Sequence, residues 1–140
     1  MCMMCNGATF DEVLFEIHGL IERFGWAVIP VEQQSSSDWA YTIGLAEVNH
    51  PELTVVGMET ERAAGLLNHL ALLIQGGRRF RNRDEVTVGT DRLRFASVPF
   101  RHLESGRFAF WVNYYGALGP PHPEPRFLEV VPYDRRRKLP

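Results

Sequence analysis

Cys2 and Cys5, in the stretch MCMMCNG, are the only cysteines of the chain, and their spacing is one at which two thiolates close a chelate on one metal ion. Zinc would need about two further ligands for its tetrahedron. His18, His50, His69, His102 and His122 are the available imidazoles, and none stands at ligand spacing from another. The same motif from a second copy would complete an all-thiolate site and tie a homodimer together. A redox dithiol instead requires a thiolate stabilised at a helix N-terminus that follows a strand. Here the first helical pattern begins near Phe10, and no strand pattern precedes the pair. Metal ligation and inert thiols both stay open, with zinc as the cofactor expectation.

The segment YTIGLAEVNHPEL carries the second candidate. His50 and Glu52 are two apart, so in an extended segment they share a face, and a histidine oriented by a carboxylate is general-base geometry. The competing reading is structural: Pro51 fixes a turn before a strand and Glu52 pairs with a neighbour. That reading explains NHPEL without any chemistry and is preferred. Tyr41, Thr42 and Gly44, with Trp111 and Tyr115 from the aromatic segment GRFAFWVNYYG, are candidate ligand-binding residues of a pocket between the two segments. Aromatics placed this densely are also core material. In RRFRNRD, Arg78, Arg79, Arg81 and Arg83 surround Phe80, a pattern able to follow a phosphate backbone and stack on a base. Asp84 and Glu85 follow at once, which favours a solvated loop and argues against nucleic acid. The glycine-rich dinucleotide and phosphate-loop signatures and the nucleophile-elbow motif are absent.

Several elements must position these residues. Phe10, Val13, Leu14, Ile17, Leu20, Ile21 and Phe24 recur at spacings of three and four, which predicts an amphipathic helix, with Thr9 and Glu12 as a capping box and Gly25 as its stop. WAVIPV predicts a strand that Pro30 confines to an edge or an end. QQSSSD is a polar loop. WAYTIGL and ELTVVGM predict a hairpin with a longer connection. A second helix is expected from Thr60 to the Gly76-Gly77 stop, with Ala63, Leu67, Leu70 and Ile74 on its apolar face and Gly65 weakening it. EVTV and RLRFASV flank GTD as another hairpin, and RFLEVV is the last strand. GRFAFWVNYYG fits a strand or a helix; the spacing of Phe108, Trp111, Val112 and Tyr115 favours a short third helix, capped by Ser105 and ended by Gly116. The fold class that follows is α+β with a mainly antiparallel sheet.

The 140 residues amount to one domain, expected to span 1–140 with the cysteine segment at 1–8 and a basic tail at 133–140. At 45% hydrophobic and 23% charged the chain has the composition of a folded globular protein, and a net charge of −2 gives no overall attraction to polyanions. No run approaches the roughly 18 to 20 apolar residues of a membrane span, and the start lacks the basic and apolar regions of a signal peptide. A cytoplasmic location is the expectation.

The pieces MCMMCNG, FGWAVIPVE, WAYTIGL, HPELTVVGM and ERAAGLLN stand in one order along the first half of the chain. In them the sequence resembles a bacterial family known as domain of unknown function 4262. The resemblance implies a fold unit and a family, and no established chemistry. The function expected is a small binding or interaction module that holds zinc through Cys2 and Cys5 and forms a homodimer. The alternative is a small-molecule enzyme or cofactor binder with His50 and Glu52 as polar groups.

Overall fold

The computed structural model describes residues 9–32, 38–99, 101, 107–120 and 123–132. The first helix, α1, is Phe10–Phe24. Its start follows the capping-box expectation: the Glu12 N–H donates to the Thr9 hydroxyl at 3.1 Å, and the Thr9 N–H donates to the Glu12 carboxylate at 2.8 Å. Gly25, at φ 99°, closes it with its N–H on the Ile21 carbonyl. The edge strand β1, Ala27–Val31, pairs antiparallel with β2, Trp39–Ile43, and with no other strand among the described residues. Pro30 thus sits where its missing N–H breaks no interior ladder.

A 3-10 helix, Leu45–Val48, links β2 to β3, Glu52–Val56, which pairs antiparallel with β2. Helix α2 is Thr60–Gln75, and β4, Glu85–Val88, forms a hairpin with β5, Asp91–Ser97. The aromatic segment is helical, as α3, Ala109–Leu118. It runs past Gly116 and stops at Gly119, whose φ is 82°, so the expected stop lies too early; a glycine weakens a helix interior without forbidding it. Ser105, the expected cap, lies outside the described residues. Strand β6, Phe127–Pro132, completes a six-stranded sheet in the order β1-β2-β3-β6-β5-β4.

The α+β class stands, and the sheet is mixed: β6 enters between β3 and β5, parallel to β3 and antiparallel to β5. Helix α2 covers one face, packing Leu67, Leu70 and Ile74 on Leu53, Val55, Phe95 and Val130. On the other face α1 and α3 bury Val13, Ile17, Trp111 and Tyr115 with Tyr41, Ile43 and Phe127. Covered on both sides, the central strands bury four successive residues, as in β2 from Ala40 to Ile43.

On α1, Ile17 is fully buried, Leu14 half-buried and His18 exposed. Ile17→Ala is expected to lower the unfolding free energy by about 3 kcal/mol through lost burial and a residual cavity. Leu14→Ala should cost less, and His18→Ala least, since it removes one hydrogen bond, between Nδ1 and the Tyr114 hydroxyl at 3.0 Å. Urea denaturation of the three variants measures the order; equal losses would contradict the orientation of α1.

Candidate functional site

Glu52 opens β3 and is completely buried. Five groups converge on its carboxylate. Oε1 accepts from the Thr42 hydroxyl at 2.7 Å and the Leu45 N–H at 3.1 Å, and Oε2 accepts from the Gly44 N–H at 2.9 Å, the Ala46 N–H at 3.2 Å and the Trp111 indole at 3.0 Å. The three consecutive N–H groups form a concavity of the kind that binds anions, and here the chain's own carboxylate fills it. Burial pushes the Glu52 pKa up to about 7, against the opposing pull of the Thr42, Gly44, Trp111 and Ala46 donors. Every partner donates, so the cage is built for the deprotonated oxygens. The Thr42 hydroxyl also accepts the Leu53 N–H at 2.9 Å, which joins β2, β3 and α3 in one network.

His50 lies just before this cage and has different partners. Its Nδ1 stands 2.7 Å from the Pro51 carbonyl and its Nε2 accepts the Phe80 N–H at 2.9 Å, which together assign the proton to Nδ1. The ring therefore pins the loop after α2 onto the turn before β3. Burial lowers the His50 pKa, the Pro51 bond opposes that, and Arg79 and Arg126 lower it further. A folded value below the ordinary 6.5 means that stability from neutral His50 is complete above pH 6.5 and is lost as pH falls toward the folded value. His50→Ala should cost about 1–3 kcal/mol at pH 7.5 by orphaning the Phe80 N–H. The gap between wild type and variant should narrow from pH 7.5 to pH 5; a constant gap in chemical denaturation would refute the latch.

A groove of about 540 Å³ opens beside His50, between the loop after α2, the end of β5 and the start of β6. Its polar lining includes Arg79, Arg81, Arg126, Asn49 and Asn82, and no carboxylate among the described residues. Arg79 is positioned by backbone: Nη1 donates to the Val48 carbonyl at 2.8 Å and Nη2 to the Asn49 carbonyl. Asn49 caps the 3-10 helix at φ 57°, a left-handed conformation that asparagine tolerates. Arg126 reaches the same residue, donating to Asn49 Oδ1 at 3.4 Å. The ion pairs seen among the described residues are Arg62–Asp91 and Arg92–Glu85, both away from the groove. A smaller pocket of about 330 Å³ shares Asn49, His50 and Arg126 with the groove and is where Glu124 lies.

A model of the family described as domain of unknown function 4262 matches residues 20–140. The chain belongs to that family. The match extends through both halves of the sheet, well beyond the first-half segments of the sequence reading, and it begins after the cysteine pair. No curated protein and no solved structure matches the chain.

In this member of the domain 4262 family, the residues picked out by sequence are gathered around Glu52 rather than around a cavity. Thr42, Gly44 and Trp111 bond Glu52 directly, and the Tyr41 hydroxyl accepts the Phe110 N–H at 3.1 Å. Tyr115 donates to Glu47 Oε2 at 3.5 Å, and burial raises the pKa of both tyrosines. Among the described residues the side chains of His50 and Glu52 share no hydrogen-bond partner: the first is tied to Pro51 and Phe80, the second to Thr42, the 44–46 turn and Trp111. The groove is lined by His50 and not by Glu52. Phe80 is buried and stacks on Phe95 with centroids 4.5 Å apart, so it offers no face to a base. Arg79 and Arg81 were visible as part of a basic run, whereas Arg126, isolated in PRF, carried no signal beyond its proline neighbour. Cys2 and Cys5 lie outside the described residues. Among the described residues no three His, Cys, Asp or Glu side chains gather where they could hold a metal ion, and no helix is long and apolar enough to cross a membrane.

Proposed function

We propose that this chain is a small binding module whose ligand is a small anionic molecule seated in the groove beside His50. One observation carries the reading: Arg79 is held in place by two carbonyls, which orient its guanidinium without neutralising it, and Arg126 meets it at the same residue. Fixing a cation beside another cation costs repulsion unless an anion joins them. The groove's volume of 540 Å³ falls within the range of about 300–1,000 Å³ common to small-molecule sites. Screening an anionic metabolite library by thermal shift should yield ligands that stabilise wild type and not Arg79→Ala, with the effect weakening as salt rises. Stabilisation that is unchanged in Arg79→Ala and Arg126→Ala would refute the groove as the site.

The zinc reading of Cys2 and Cys5 stands beside this one as a separate proposal, with homodimerisation through shared thiolates as its consequence. Untagged protein should carry near-stoichiometric zinc by elemental analysis, and serine at both positions should abolish it. Metal-free protein with two freely titratable thiols would overturn the proposal.

A further inference from the structure

The hydrogen-bonding polarity of the groove narrows the ligand, on the assumption that the groove is the binding site. Asn82 Oδ1 accepts the Ser97 N–H at 2.9 Å, and Asn49 Oδ1 accepts from Arg126. Each amide oxygen thus already accepts one bond from the protein, whereas the amide N–H donors have no partner shown among the described residues and face a ligand first. An arginine only donates. Both ring nitrogens of His50 are occupied within the protein. Apart from the Ser97 hydroxyl, which can donate or accept, the polar side chains of the described residues lining the groove face a ligand mainly as donors.

A donor-rich, triply cationic lining selects a group that only accepts and carries more than one negative charge. A carboxylate offers two oxygens and one charge. A phosphate monoester offers three terminal oxygens and close to two charges at neutral pH, and guanidinium forks match its geometry. The groove is too large to be filled by a bare phosphate ion, and Pro51, Val98 and Pro125 add an apolar wall beside the cations. We propose that the groove binds a small-molecule phosphomonoester, its phosphate on the guanidiniums and asparagine amides and its organic body against that wall.

Isothermal titration of the full chain with phenyl phosphate, benzoate, phenol and inorganic phosphate tests the class, with amide NMR shifts locating the site. Phenyl phosphate is expected to bind about tenfold or more tightly than benzoate and than inorganic phosphate, since each lost charge-assisted contact or buried ring face is worth about that factor. Phenol should not bind. The shifts should cluster at Phe80, Asn82, Ser97 and Val98, and Arg79→Ala and Arg126→Gln should each weaken phenyl phosphate about tenfold. Adenosine 5′-phosphate against adenosine repeats the comparison with a larger body. Equal binding of benzoate and phenyl phosphate, lost in Arg79→Ala, would overturn the phosphomonoester class and leave the anion groove standing. No binding of either phosphate ester into the millimolar range would overturn the class as well. Shifts away from the groove, unaffected by Arg79→Ala, would overturn both readings.

Discussion

Glu52→Gln is expected to lower the unfolding free energy by about 3–5 kcal/mol at pH 8, an effect as large as deleting a core side chain. Five donors surround the two carboxylate oxygens, and an amide replaces one of those oxygens with two N–H groups. With the amide nitrogen at the Oε2 position, the N–H groups of Gly44, Ala46 and Trp111 face another donor. With it at Oε1, the Leu45 N–H does, and the Thr42 hydroxyl must turn away. Either orientation orphans buried donors at about 1–3 kcal/mol each and removes charge-assisted bonds. The burial penalty returned on losing the charge offsets part of the sum. Trp111→Phe removes a single donor and should cost about 1–3 kcal/mol with near-UV circular dichroism otherwise native. Denaturation midpoints that coincide for wild type and Glu52→Gln would show that the cage does not hold the fold.

Gly44→Ala should cost about 4 kcal/mol for a steric reason independent of charge. Gly44 lies at φ 121°, and an added Cβ would stand 2.7 Å from the Gly25 carbonyl oxygen and 2.9 Å from Trp26 Cα. Both are backbone atoms at the junction of α1 and β1, so neither can rotate aside. The substitution also displaces an N–H that serves Glu52, which couples it to the cage. Gly65→Ala on α2, where an added Cβ meets nothing within 4 Å, should be neutral or stabilising and serves as the control. Equal melting temperatures for Gly44→Ala and wild type would refute the close approach of the two turns.

The two glycines show how unevenly the sequence speaks. Gly25 was legible as a helix stop because it follows an apolar face of period 3.6 and a capping box, both settled within a few residues. Gly44 could be read only as a candidate ligand contact, because what an added side chain there would meet, Gly25 and Trp26, is brought there by strand pairing. Glu52 is similar. A structural carboxylate after His50-Pro51 was the preferred reading, yet its partners come from the turn before it and from Trp111 on α3, far along the chain. Sequence reasoning placed Thr42, Gly44 and Trp111 together, and burial decided that they surround a carboxylate.

By itself the sequence determined the helices α1 and α2, the Pro30 edge strand, both hairpins and the α+β class. Each depends on short-range sterics, on side-chain periodicity or on a cap within one turn, and these act before any distant segment arrives. Only the tertiary structure decided that β6 inserts parallel to β3, where the Glu52 N–H donates to the Arg126 carbonyl at 2.9 Å. That one pairing carries Arg126 to Asn49 and Arg79 and so creates the groove. Arg79 and Arg81 share one basic run, but Arg126 joins them from a segment with no pattern in common with it, because a charge placed by ladder register leaves no periodic trace in the chain that carries it.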